Sequence, residues 1–163
     1  MSTSSAQQLG TLLQQQIESA AQLLQILQNE NAVLVKRDFE KIQHLSQQKS
    51  EQSATLEQLV QQQHQLLQER GCSSDSSEGL NSFIGSQPQN IATQLSKKRQ
   101  KLQAILESCQ KLNQVNGNII AVNKHSAETA LAILRGQFTS DNLVYSADGQ
   151  TVTAPSSKPS VKV

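Results

Sequence analysis

The sequence predicts an all-α protein, an antiparallel bundle of three long helices with a short helix in the linker and a disordered C-terminal tail. Three observations carry that prediction. From Ala6 to Arg70 there is no proline, and the only glycine is Gly10. Through that stretch apolar residues recur at three- and four-residue steps, the period of a helix seam. The composition is also hostile to sheet. Among 163 residues there is no Trp, one Tyr, three Phe, seven Gly and three Pro, whereas sheets need β-branched and aromatic residues with turn formers at short intervals. Glutamine is the commonest residue, at 27; it is a good helix former and coats the outside of helices.

The elements follow in order. The first helix spans about 6–35 and carries Leu9, Leu13, Ala20, Leu24, Leu27 and Leu34 on its seam. The second spans about 38–70 and carries Ile42, Leu45, Leu56, Leu59 and Leu66. Lys49, Gln52 and Gln63 fall on the same seam, so the contact between the two is partly polar. A single unbroken helix of some 60 residues would be about 90 Å long. A hairpin is preferred because Asp38, followed by Phe39 and Glu40, reads as an N-cap with an acidic first turn. Lys36 and Arg37 suit the C-terminal end of the helix before it.

Residues 71–89 form a linker rich in Ser and Gly. Leu80, Phe83 and Ile84 stand at i, i+3, i+4 within it, the pattern of a helical turn capped by Ser77 and packed on the end of the bundle. The third helix spans about 90–135, with Pro88 at its start and Gly136 at C′. Its seam reads Ile91, Leu95, Leu102, Ile105, Cys109, Leu112, Asn116, Ile119, Asn123, Ala130, Leu134. Asn116 and Asn123 interrupt it, a device that sets register at some cost in stability. The helical domain is thus 1–136. The tail, 137–163, holds one apolar island around Leu143, Val144 and Tyr145, then a Pro/Ser-rich end.

Several functions are disfavoured. Net charge is +1 from 14 basic and 13 acidic residues, too balanced to steer the chain toward nucleic acid or an anionic membrane. The run Lys97, Lys98, Arg99, Lys101 has no aromatic neighbours for base stacking and reads as a solvated helix face. Apolar runs are short, four residues at Ala32–Val35 and Ile119–Val122 and five at Ala130–Leu134, far short of the twenty or so of a membrane span. With no signal-peptide pattern at the N-terminus and no paired-cysteine motif, the expected location is the cytoplasm with reduced thiols. Cys109 reads as a small core residue and Cys72 as an exposed loop thiol. His44, His64 and His125 share no metal-ligand spacing and are expected to be exposed. There is no phosphate loop and no nucleophile elbow. The expectation is no catalytic residue, no cofactor and no metal, hence an interaction protein.

The C-terminal half of the third helix is unusual. At 100° per residue, with Ile119 at zero, its bulky apolar residues cover roughly 180°. A helix packed on two others needs little over 100°. Either this half is the buried centre of the bundle, or one edge of the arc stays open for a partner's amphipathic helix.

Two segments are similar to a known family. Leu112-Asn113-Gln114-Val115-Asn116-Gly117-Asn118-Ile119-Ile120 resembles the N-x-x-N-G-x-hydrophobic signature of the FlgN-type flagellar export chaperones. Leu143-Val144-Tyr145-Ser146-Ala147-Asp148-Gly149-Gln150-Thr151 resembles that family's C-terminal L-Y-G-x-D-G-Q-T-like segment, with Ser146 where Gly is commoner. The resemblance implies a cytoplasmic chaperone of the flagellar type III export system. Such a protein binds the C-terminal segments of the hook-associated (hook–filament junction) proteins, prevents their premature assembly and delivers them to the cytoplasmic domain of the export gate. It implies a cargo surface on the third helix, for which Leu112, Val115, Asn116, Ile119, Ile120, Val122, Leu131 and Ile133 are the candidates. It implies gate docking through Leu143, Val144 and Tyr145. The expected oligomeric state is a monomer or weak homodimer. The competing reading is a self-associating coiled-coil scaffold without export cargo.

Overall fold

The computed structural model describes residues 2–72, 76–135, 144–145 and 151–152. The chain divides into two compact units, Met1–Ala121 and Val122–Val163. Four α-helices occur among the described residues: α1 (Ser2–Lys36), α2 (Phe39–Gln68), α3 (Ser76–Gly85) and α4 (Gln89–Leu134). The last turns of α4, from Val122, belong to the second unit.

α1 and α2 are joined by the two residues Arg37 and Asp38. The turn is a Schellman motif: the N–H of Asp38 donates to the carbonyl of Val33 at 3.2 Å and that of Arg37 to Leu34 at 3.2 Å. Such a motif needs one left-handed residue. Arg37 fills that role with φ 57°, where glycine is the usual choice. Asp38 then caps α2, accepting from the backbone N–H of Lys41. The Lys41 ammonium lies 2.6 Å from its carboxylate and holds the carboxyl below its ordinary range.

The same motif closes the other end of α2. The N–H of Cys72 donates to Leu67 at 3.1 Å and that of Gly71 to Gln68 at 2.9 Å. Here the left-handed position is a glycine, Gly71 at φ 73°. A Schellman turn folds its last residue back onto the helix. Cys72 is therefore half-buried and packs against the core that holds Leu67; it is not the freely exposed loop thiol that its serine-rich surroundings suggest.

Polar rungs set the direction of the hairpin. Gln16 donates to the carbonyl of Leu59 at 3.1 Å, Gln52 to Ser19 Oγ at 2.8 Å, and Lys49 to Glu30 at 2.6 Å. Positions rise along α1 as they fall along α2, so the two are antiparallel. Between α1 and α4 the contacts rise together. Lys98 Nζ donates to the Gly10 carbonyl at 2.9 Å, Cys109 Sγ to that of Ala20 at 3.6 Å, and Asn116 Nδ2 to that of Leu27 at 3.0 Å.

α1 is the centre of the first unit. It buries Ala6, Leu9, Leu13, Ile17, Ala20, Leu27 and Leu34 together with Ser5, Gln16, Ser19 and Glu30. α4 buries only Leu95, Cys109 and Asn116. The wide apolar arc of the third long helix is thus not the buried centre of the bundle. α3 closes one end, with Leu80, Phe83 and Ile84 packed against Ala6, Leu9, Leu13, Leu67 and Leu95. Its first residue is Ser76, so Ser77 lies inside the first turn rather than at the cap. α4 starts directly after Pro88, whose carbonyl accepts from Ile91 and Ala92 at 2.9 Å each.

In the second unit α4 runs to Leu134. Two short strands, β1 (Val144–Tyr145) and β2 (Thr151–Val152), pair antiparallel with Val144 opposite Val152 and Tyr145 opposite Thr151. These four are the described residues of the tail that the sequence reads as flexible with a docking segment at 143–151. Gly136 and Leu143 lie outside the described residues.

Candidate interaction surface

The α-helical period places the polar interruption Asn116 on the same face as Leu95, Leu102 and Cys109. Desolvating an amide is costly unless every group finds a partner. Asn116 is fully buried, at 0% exposure, and its partners are all present. Its Nδ2 donates to Glu30 Oε2 at 2.8 Å and to the Leu27 carbonyl at 3.0 Å. Its Oδ1 accepts from Asn31 Nδ2 at 2.8 Å. Glu30 is buried too, and its other oxygen takes the ammonium of Lys49 at 2.6 Å. One cluster thereby joins α1, α2 and α4. Asn116, a cargo-contacting candidate of the sequence, accordingly presents nothing to solvent in the free chain.

The other candidates separate by exposure. Leu112 and Ile119 are half-buried beside Asn116. Val115 and Ile120 are 47% and 44% exposed in the first unit. In the second unit Val122, Leu131 and Ile133 are 64%, 49% and 59% exposed. Ala130 and Leu134, which the spacing places on the seam, are exposed as well.

The exposed residues lie on two flanks of α4 in each unit. In the first, with Ile119 at zero, Val115 falls near 320° and Ile120 near 100°, on either side of the inward seam. Leu106 shares the flank of Ile120 and lines a groove of about 490 Å³ with Val60, His64 and Leu13. In the second, Val122 and Ile133 share one flank and Leu131 lies on the opposite one.

The basic run also resolves into separate roles. Lys98 holds the Gly10 carbonyl, and the Arg99 guanidinium binds Asn81 and Ser77 of α3. Lys97 and Lys101 alone are left as exposed positions. The structural use of Lys98 and Arg99 was not visible in the sequence, where they looked like part of a solvated face. Cys109 is buried, and burial pushes its thiol above the usual range. His44 and His125 are exposed, whereas His64 is half-buried and its Nε2 is enclosed without a hydrogen-bond partner. Among the described residues no group of His, Cys, Asp and Glu has the arrangement of a metal site, and no helix is long and apolar enough to cross a membrane. For the docking candidates Val144 and Tyr145 the structure specifies backbone pairing in β1.

Comparison with known proteins adds two findings. The family model described as FlgN protein matches residues 1–153. A solved structure of a flagella synthesis protein, FlgN, from Pseudomonas aeruginosa is similar in fold. It is 31% identical, the match covers 76% of this chain and 93% of that one, and the TM-score is 0.59. A comparison with curated proteins returned no match.

Proposed function

The chain belongs to the FlgN family, whose members are chaperones of flagellar export, and from that premise we propose that it binds the C-terminal segments of hook-associated proteins. In this reading it prevents their premature assembly and delivers them to the cytoplasmic domain of the export gate. The observation that carries the proposal is the exposed apolar surface of α4. Val115, Val122 and Ile133 are open to solvent on the half of the helix that bears the family signature.

The mechanism is one of covering like with like. A cargo segment that forms an amphipathic helix has an apolar stripe that would pair with other copies of itself. Laid on exposed aliphatic residues of α4, that stripe is withdrawn from water. The gross gain is about 25 cal/mol per Å² of apolar area. Ordering the segment returns roughly 2–5 kcal/mol of it, so the complex is held without being irreversible. Leu143, Val144 and Tyr145 dock on the gate. Tyrosine suits that task because it joins a large apolar ring to a hydroxyl that stays hydrated.

The test uses the purified chain and a synthetic C-terminal segment of a hook-associated protein. Capture by the natural chain, and binding at least ~10-fold weaker in Val122→Asp from burial of an unpaired carboxylate, are expected. Tyr145→Ala keeps the cargo and loses the export-gate domain. Self-association alone, unaffected by Val122→Asp, would establish the scaffold reading instead.

A further inference from the structure

We propose that the groove between α2 and α4 is a second docking place for the export cargo: a helical, amphipathic stretch of it, neutral along its buried stripe, lies there end to end with α3 and takes the Gln63 amide as its polar anchor. The identity of this occupant rests on the export-chaperone reading.

The fold itself shows what this groove accepts. α1 supplies the floor with Leu13 and Gln16, both fully buried, and α2 and α4 supply the walls. α3 fills one end. Its Leu80, Phe83 and Ile84, at i, i+3, i+4, pack with Leu9 and Leu13 of α1, Leu67 of α2 and Leu95 of α4. Leu80 and Ser77 of α3 also line the open part, so the groove continues the seat of a helix that is already there. It runs on past Gln110, which lines a further hollow of about 470 Å³ with Leu23 and Leu27 of α1 below. The α4 wall from Arg99 to Asn113 rises about 21 Å, the length of a helix of about 14 residues. On the walls Val60 of α2 and Leu106 of α4 are left 36% and 37% exposed. Val115 lies on the other flank of α4, so one helix does not cover both, and the groove calls for a stretch of its own.

Polar groups narrow the occupant. Gln16 and Gln52 on the hairpin contact are matched, donating to the Leu59 carbonyl at 3.1 Å and to Ser19 Oγ at 2.8 Å. Gln63 is the exception. It lines the groove, is 6% exposed, and makes no hydrogen bond with a described residue. A buried amide without a partner is costly, and a polar side chain on a docked helix removes that cost. The lining has little free charge. Arg99 is bound to Asn81 and Ser77, and Lys49 to Glu30, which leaves Glu107, held by the Gln103 amide at 3.0 Å. A nucleic acid or an anionic lipid finds no cation there, whereas an aliphatic stripe with a basic residue at its edge is matched. A second copy of the chain fits less well. Besides Val60 and Leu106 themselves, the large exposed apolar residues of the first unit are Val35, Val115 and Ile120. Val115 and Ile120 point to opposite flanks of α4, so no helix of that unit has a free stripe to insert.

The experiment uses the full chain and a synthetic C-terminal segment of a hook-associated protein. Binding is followed by fluorescence anisotropy, and maleimide labelling is resolved by site with mass spectrometry. Saturating peptide is expected to slow labelling of Val60→Cys at least ~10-fold. Gln58→Cys, exposed on the outer side of α2, should label at the same rate with and without peptide. Val60→Asp, which sets an unpaired carboxylate in the groove, is expected to bind at least ~10-fold more weakly. Gln63→Leu is expected to bind at least ~3-fold more weakly while raising the Tm of the free chain, because the amide finds its partner only in the complex. Peptide that binds the natural chain yet leaves Val60→Cys freely labelled would overturn the groove and leave the export-chaperone reading standing. Peptide that fails to bind the natural chain would overturn both. Unweakened binding by Val60→Asp and Gln63→Leu would also overturn the groove. So would protection of Val60→Cys that needs no peptide and rises with protein concentration, since the occupant would then be a second copy.

Discussion

Replacing Arg37 by glycine should stabilise the protein, although it deletes a side chain from a helical hairpin. Arg37 sits at φ 57°, a region where the Cβ of an L-residue crowds the following carbonyl at a cost of roughly 1–2 kcal/mol. It cannot leave that region, because the Schellman bonds from Arg37 to Leu34 and from Asp38 to Val33, both 3.2 Å, require a left-handed residue between them. Glycine escapes the crowding but gives the unfolded chain more freedom, which takes back about 0.5–1 kcal/mol. The guanidinium makes no ion pair with a described residue, so nothing else is lost. The net gain is about 0.5–1 kcal/mol, or a rise in Tm of roughly 1–4 °C for a chain of this size. Thermal unfolding followed by far-UV circular dichroism measures it. Arg37→Ala is the control: it removes the same side chain but keeps the Cβ, and should leave Tm near that of the natural protein. Gly71, at φ 73° in the equivalent turn after α2, supplies the reverse case, and Gly71→Ala should lower Tm by a similar amount. An Arg37→Gly protein no more stable than Arg37→Ala would refute the reasoning, since left-handed crowding would then not be what the turn stores.

Gly10→Ala should also stabilise, by about 0.5–1 kcal/mol, because a methyl there meets Leu95 Cδ2 at an ordinary 3.6 Å; a lower midpoint in urea would contradict this. Leu13, fully buried in the core that joins α1, α2, α3 and α4, should cost about 2–5 kcal/mol as Leu13→Ala, read from the same denaturation curves. The Asp38 carboxyl is held low chiefly by the Lys41 side-chain hydrogen bond. Its contribution is therefore present above the unfolded carboxyl's value and lost as pH falls through the folded one. Stability of the natural protein should drop more steeply in acid than that of Asp38→Asn, and parallel acid titrations of the two would contradict the assignment.

Much of the fold was legible because local rules act along the chain. The three- and four-residue spacing of Leu9, Leu13, Leu27 and Leu34 marks the face that α1 buries. Asp38 announces the start of α2 by its chemistry alone. Leu80, Phe83 and Ile84 identify the face of a short helix whichever core it joins. Ile17, by contrast, is buried though absent from the predicted seam, because α1 is covered on more than one side. The left-handed Arg37 was illegible, since nothing in Lys36-Arg37-Asp38 names the residue that must turn.

The candidate surface was half legible for a similar reason. Helical period shows that α4 has an apolar arc wider than a seam requires, and that Asn116 and Asn123 interrupt it. Period cannot show which part of the arc points inward, because that depends on residues far away in the chain: Glu30 and Asn31 on α1 and Lys49 on α2. The amino-acid sequence by itself determined helices, their seams and the presence of surplus apolar surface, all consequences of a 3.6-residue period acting on near neighbours. Only the tertiary structure decided that α1 is the centre of the first unit, that Asn116 is buried, and that Val115, Ile120, Val122, Leu131 and Ile133 stay exposed. Hydrophobic burial is indifferent to direction, whereas a buried amide is satisfied in one orientation, and that orientation exists only once three helices have met.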